Sequence, residues 1–115
     1  DGRKPLHHQD RVPGGAAGIS AHPYSTRDLH APRDAVLVME GLSAIEALNG
    51  RCSPEENASA EGAARLLRLP IVGGSDCHRT GEVARCCTVF ENPVRTPEDL
   101  VRELLAGRCG PERLP

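Results

Sequence analysis

From Ala16 onward, short apolar runs alternate with polar segments that are long enough to form helices, and this alternation constrains the fold more than any other feature. Strands that alternate with helices along a chain form mostly parallel sheets covered by helices. We therefore predict an α/β architecture with the element order β-α-β-α-β-β-α. The predicted strands are, in chain order, residues 18–21, 44–48, 70–74 and 85–90.

Three segments between or after these strands carry helix signals. Ser53 stands directly before a proline and three residues before a glutamate, which is the pattern of a capping box with proline in the first turn. We expect this helix to end near Leu69. Thr96 begins another helix in the same way, and Gly107 ends it. The remaining segment, residues 34–40, predicts a short helix closed by a glycine.

The composition argues against several classes of function. Tyr24 and Phe90 are the only aromatic residues among 115 and the net charge is −2, so we expect no general nucleic-acid binding. No apolar run approaches the roughly 18 residues that cross a bilayer. Five cysteines without a C-x-x-C pair indicate neither a disulfide framework nor a thiolate zinc site. We therefore expect a cytoplasmic protein that does not contact membranes.

The chain divides into three parts. Residues 1–15 are polar, contain several glycines and prolines and show no periodicity, which is typical of a leader or linker. Residues 16–109 form the predicted domain, and residues 110–115 a tail. Because the chain begins with Asp1 and its single methionine is Met39, we expect it to be the C-terminal part of a longer protein.

The sharpest chemical feature is the pair Asp76 and His78, which follows the glycine-rich end of a predicted strand. Residues two apart in an extended chain project to the same side, so this carboxylate and imidazole can reach one point. His22 ends the first predicted strand, and Pro23 should keep it extended. The carboxyl ends of parallel strands meet at one edge of a sheet, where two imidazoles and a carboxylate would suit Zn, Mn or Fe. The alternative is a structural role, with Asp76 capping a turn.

These motifs, in this order, resemble the C-terminal half of the PHP family, the polymerase and histidinol phosphatase superfamily of metal-dependent phosphoesterases. The resemblance implies the C-terminal portion of a distorted (β/α)7 TIM-like PHP barrel, with mostly parallel strands and covering helices. The matching text is GISAHPY (18–24), AIEALNGR (44–51), the helix 57–69 and LPIVGGSDCHR (69–79), followed by residues 81–85, 87–91 and 96–107.

The resemblance implies three metal ligands, His22, Asp76 and His78, of which the last two are also the catalytic residues. They would belong to a bi- or trinuclear cluster of divalent Mn, Zn or Fe ions. The family's N-terminal half supplies an H-x-H strand and further ligands, and nothing of that kind precedes His22 here. His7 and His8 are adjacent, so on a strand they diverge, and we interpret them as linker. Three ligands predict weak metal binding.

The implied activity is hydrolysis of a phosphoric ester by metal-activated water, on a phosphorylated small molecule or a nucleotide. The candidate substrate contacts are Arg79, Asn49 and Arg51, although each arginine also fits a solvated surface charge. Two alternatives stay open. One is a mononuclear 2-His-1-carboxylate iron enzyme that uses the same three ligands. The other is an inactive PHP-like interaction module that associates with itself through open strand edges.

Overall fold

The computed structural model describes residues 15–115, so nearly all of the predicted leader lies outside the described residues. Its elements confirm the predicted α/β class. The strands are β1 (Ile19–Ser20), β2 (Ala44–Asn49), β3 (Ile71–Gly74), β4 (Cys86–Phe90) and β5 (Cys109–Arg113). The helices are α1 (Pro54–Leu67) and α2 (Pro97–Ala106), together with 3-10 helices at Arg33–Val38 and Thr80–Glu82.

The strands form two sheets. β1, β2 and β3 pair in that order and are parallel, as predicted. β4 and β5 form a separate antiparallel pair. Within residues 15–115 the parallel sheet has three strands and does not close into a barrel, and β1 forms one of its edges. The carboxyl ends of three neighbouring strands therefore lie at one edge of an open sheet.

Strand β5 is absent from the predicted element order, which ends at a helix. The predicted tail, residues 110–115, begins inside this strand. The sequence does not indicate this strand, because it contains Gly110 and Pro111 and both residue types are depleted in strand interiors. Pro111 lies opposite Thr88 in a sheet of two strands, and an edge strand tolerates a residue that cannot donate.

The starts of both α-helices are as predicted. Ser53 Oγ accepts a hydrogen bond from the Glu56 N–H at 3.1 Å, and the Glu56 carboxylate accepts from the Ser53 N–H at 2.8 Å. Thr96 caps α2 with its side chain. α1 ends slightly earlier than expected, because Arg68 adopts a left-handed φ of 55°. None of the helices within residues 15–115 is long and apolar enough to cross a membrane.

Two apolar clusters pack on opposite faces of β2, as the period of two along a strand requires. Because both faces are covered, β2 is a firm support for the side chains at its carboxyl end. The first cluster joins β2 to α1 and contains Val36, Ile45, Ala47, Ala60, Ala63 and Ala64. The second joins the sheet to α2 and contains Ala44, Val72 and Leu104.

Candidate functional site

Polar residues follow the carboxyl ends of β1 and β3, the two outer strands of the parallel sheet. His22 follows β1, and Asp76 and His78 follow β3. These three side chains line one pocket of about 260 Å³. The pocket is therefore bordered by both imidazoles and the carboxylate that the sequence singled out. Its other walls are Ser25, Arg27, Asp28, Arg51 and Cys52.

The backbone reaches this pocket through turns and not through the extended geometry expected from the sequence. β3 ends at Gly74, so Asp76 and His78 project from a loop. His22 has a φ of 28° and Asp76 a φ of 52°. Left-handed conformations of this kind cost about 1–2 kcal/mol in a residue with a Cβ atom, and they concentrate at functional sites.

A turn after β1 returns the chain to the pocket. The expectation that Pro23 keeps His22 extended is wrong, because the Ser25 N–H donates to the His22 carbonyl oxygen at 3.0 Å and closes a turn. Ser25 Oγ then accepts from the N–H groups of Arg27 and Asp28, each at 3.2 Å. The Asp28 carboxylate consequently lies 3.8 Å from Nδ1 of His22, which is beyond hydrogen-bond distance.

Nδ1 of His22 is buried and has no hydrogen-bond partner in the described part of the chain. Buried polar atoms are seldom left in this state, and a free imidazole nitrogen near carboxylates fits a divalent metal in kind. Among the described residues, the number of metal-binding side chains grouped together is, however, too small for a metal site. Within residues 15–115, no three His, Cys, Asp or Glu side chains form a group that could hold an ion. The iron alternative needs all three ligands from this chain alone, so the described residues do not favour it.

The loop after β3 holds His78 through its backbone. Glu82 Oε1 accepts from the His78 N–H at 2.9 Å. This hydrogen bond, with a smaller contribution from the Arg51 guanidinium 3.4 Å away, holds the pKa of the Glu82 carboxyl below its ordinary value. Nδ1 of His78 lies 2.9 Å from the carbonyl oxygen of Asp76. If Nδ1 donates to that oxygen, Nε2 is the nitrogen available to a ligand.

The three candidate substrate contacts occupy different positions. Arg51 lines the pocket, whereas Arg79 is exposed at the start of the second 3-10 helix. Asn49 is fully buried. Its amide donates to Glu46 Oε1 at 2.9 Å and to Asp76 Oδ2 at 3.3 Å. This position favours a role in holding the site together over direct contact with a substrate.

Five residues of the site carry no signal of their own in the sequence: Ser25, Arg27, Asp28, Cys52 and Glu82. Glu82 ends the second 3-10 helix and the others lie in loops, whose path depends on turns that the sequence pattern does not reveal. Proximity to His22 in the chain is the one clue that could have pointed to Arg27 and Asp28.

Cys52 is a neutral thiol at physiological pH. Burial, together with the negative charges of Glu56, Glu46 and Asp76, raises its pKa to about 11. The thiolate is the nucleophilic form of cysteine, so Cys52 does not supply a nucleophile to this pocket.

A larger pocket of about 670 Å³ lies near the end of α1 and the start of β3. Its walls include Arg65, Arg68 and Cys109 but no histidine. This is the amino-terminal edge of the strand, which in α/β barrels serves stability, whereas the carboxyl edge carries chemistry. We therefore assign the candidate site to the smaller pocket.

Comparison with known proteins relates part of the chain to a family. Residues 54–109, from the start of α1 to the first residue of β5, match the family model described as PHP-associated. No curated protein and no solved structure matches the chain. The matched region contains Asp76 and His78, while His22 precedes it. Residues 54–109 of this chain are therefore similar to the PHP-associated family, which supports a C-terminal region associated with PHP domains.

Proposed function

We propose that the chain is part of a metal-dependent phosphoesterase, which hydrolyses a phosphoric ester at the carboxyl edge of the parallel sheet. The observation that carries the proposal is that His22, Asp76 and His78 line one pocket, together with two arginines. Imidazole and carboxylate groups suit a divalent cation, and guanidinium groups suit a phosphate. The PHP-associated match over residues 54–109 supports the same class of protein.

His22, Asp76 and His78 are the side chains that this chain would contribute to a Mn, Zn or Fe site, although within residues 15–115 they do not by themselves form a group that could hold an ion. The further ligands of a bi- or trinuclear cluster would come from outside residues 15–115, because the described donors are incomplete. When bound, such a cation supplies a Lewis acid that lowers the pKa of water from about 15.7 towards about 7.

The arginines of the pocket would bind and orient the ester. The Arg51 guanidinium already faces a carboxylate, that of Glu82, at 3.4 Å. A phosphate oxygen presents the same charge and hydrogen-bonding character, so it can share or take over this contact. Since the Cys52 thiol is neutral, with a pKa of about 11, attack by water is favoured over attack by a cysteine.

We propose further that β1, β2 and β3 are the C-terminal portion of a distorted (β/α)7 barrel, in which the outer edge of β1 pairs with a preceding strand. The nature of the substrate, as a phosphorylated small molecule or a nucleotide, stays a prediction. Cytoplasmic location and self-association through strand edges also stay predictions, and light scattering tests the second.

Phosphate release from p-nitrophenyl phosphate by the full-length protein with Mn²⁺ tests the proposal, with Mn²⁺ binding followed by electron paramagnetic resonance. We expect Asp76→Asn and His78→Ala each to lower the rate by more than about 100-fold and to weaken Mn²⁺ binding. His30→Ala is the matched control, because His30 is exposed and lies outside the pocket. Full activity of either site variant would remove the assignment.

A further inference from the structure

The carboxylate of Glu46 has no role in the proposed hydrolysis, yet it lies at the centre of the site. Its Oε1 atom accepts hydrogen bonds from the His22 N–H and from Nδ2 of Asn49, both at 2.9 Å. The same Asn49 amide donates to Asp76 Oδ2 at 3.3 Å. One carboxylate on the middle strand is thus connected to both loops that bear the proposed ligands.

A shift in strand register brings Glu46 and Asn49 together. In a regular strand, residues three apart point to opposite faces of the sheet. Here Glu46 pairs with Val72, whereas Leu48, two residues further on, pairs with the very next residue, Gly73. An extra residue of this kind re-aims the side chains around it. The bulge therefore explains how the side chains of Glu46 and Asn49 meet.

Two glycines leave the space that this arrangement needs. A Cβ atom at Gly74 would collide with Oε2 of Glu46. A Cβ atom at Gly50 would lie 2.7 Å from the carbonyl oxygen of Ser75. The segment that follows β2 and the segment that leads to Asp76 consequently approach each other through their backbones.

Asn57 of α1 holds the backbone of Asn49 in place. The Asn49 N–H donates to Oδ1 of Asn57 at 3.0 Å, and its carbonyl oxygen accepts from Nδ2 of Asn57 at 3.2 Å. Its own Oδ1 accepts from the N–H groups of Arg51 and Cys52, at 2.8 and 3.1 Å. With every polar group engaged and no exposed surface, the Asn49 side chain is held in one orientation.

His22 and Asp76 both have left-handed backbones, with φ values of 28° and 52°. Such conformations persist only where the surroundings enforce them. The hydrogen bond from the His22 N–H to a carboxylate provides that restraint on one side, since charge-assisted hydrogen bonds are about twice as strong as neutral ones. The Asn49 amide provides it for Asp76.

We propose that Glu46, acting in part through Asn49, is a positioning residue that holds His22 and Asp76 in the conformations that direct their side chains to the pocket. The metal and phosphate chemistry of that pocket rests on the proposed function. The hydrogen bonds that make Glu46 a positioning residue do not depend on it.

The test compares Glu46→Ala and Glu46→Gln with the unchanged full-length protein by amide hydrogen exchange. The His22 amide should exchange about 10- to 100-fold faster in Glu46→Ala, because its acceptor is gone. The factor should be smaller in Glu46→Gln, whose neutral amide oxygen still accepts; this variant decides the question if the alanine variant does not fold. The exchange rate of the Ala63 amide within α1 is the internal reference for overall stability. Glu61→Gln is the matched control, because it makes the same change at an exposed position of α1, away from the site.

Faster exchange at His22 alone supports the proposal, and an increase no larger than that at Ala63 overturns it. Mn²⁺ binding by the same proteins separates this inference from the proposed function. Weaker Mn²⁺ binding by Glu46→Gln, together with selective exchange at His22, supports both. Selective exchange in a protein whose unchanged form binds no Mn²⁺ supports the positioning role and refutes the metal chemistry.

Discussion

Two parts of this molecule bury polar side chains, and they differ in how completely those groups are paired. In α2, the buried Glu103 accepts from Arg108 at 3.0 and 2.7 Å and from Asn92 at 2.9 Å. At the carboxyl edge of the parallel sheet, Asn49 is equally buried. The arrangement around it, however, leaves Nδ1 of His22 without a partner among the described residues.

The difference distinguishes a region organised for stability from a region organised for binding. A closed network in which each buried group is paired is strengthened by its apolar surroundings. An unpaired buried nitrogen and two left-handed residues lower stability in the absence of a ligand, and such features are typical of sites where activity and stability conflict. Substitutions in the two regions should therefore affect stability differently.

The largest effect is expected from Asn49→Asp, which replaces a donor with a third negative charge beside Glu46 and Asp76. We expect the free energy of unfolding at pH 7 to fall by about 3 kcal/mol, because Glu46 and Asp76 lose a shared donor and a third carboxylate is buried beside them without a positive partner. The neighbouring charges raise the pKa of the new carboxyl, so the loss should shrink as the pH falls. Urea unfolding at pH 7 and at pH 5 measures both effects.

Asn92→Asp is the matched control, because it makes the same change beside Glu103 at an exposed position. Water screens the new charge there, so we expect a loss below about 1 kcal/mol. Equal losses in the two variants would mean that the two regions do not differ in the way that their hydrogen bonds suggest.

Glu103 should make its own region sensitive to acid. Hydrogen bonds from Arg108 and, after it, from Asn92 lower the pKa of the Glu103 carboxyl to about 2. Since this lies below the value of about 4.3 in an unfolded chain, the stability that Glu103 contributes is present above about pH 4.3 and is lost as the pH falls towards 2.

The variant that tests this is Glu103→Gln. It should have a lower urea midpoint than the unchanged protein at pH 7, and the gap should narrow between pH 4.5 and pH 2. The difference between the two proteins isolates Glu103 from the other carboxylates. A gap that stays constant over this range would show that Glu103 does not change protonation on unfolding.

Most of the fold could be predicted because its signals are local. The caps at Ser53 and Thr96 lie within three residues of the groups they satisfy, so the sequence alone marks where both α-helices begin. β5 could not be predicted, because Gly110 and Pro111 have low strand propensity and only pairing with β4 compensates for it. The formation of β5 depends on a tertiary contact, and no local sequence pattern indicates it.

The candidate site likewise contains residues that the sequence could identify and a residue that it could not. His22, Asp76 and His78 could be selected because the carboxyl ends of parallel strands meet at one edge, whatever the loops between them do. Glu46 could not be selected, since a regular strand would place it on the face opposite Asn49, and only the bulge in β2 brings the two together. The register of a strand is settled by packing on both of its faces.

The smallest effect is expected from His22→Gly, and it should be stabilising. Glycine adopts the left-handed backbone of residue 22 without the penalty of a Cβ atom, the ring loses no Nδ1 hydrogen bond, and the N–H can still donate to Glu46. After the extra entropy of an unfolded glycine and the lost ring contacts, we expect a gain of about 0.5 kcal/mol, with loss of Mn²⁺ binding. Ala84→Gly measures the backbone effect alone, because Ala84 is exposed and has a φ of 60°. If His22→Gly instead unfolds more easily by over about 1 kcal/mol while Ala84→Gly is stabilised, the His22 ring supports the fold as Glu103 does, and the contrast between the two regions fails.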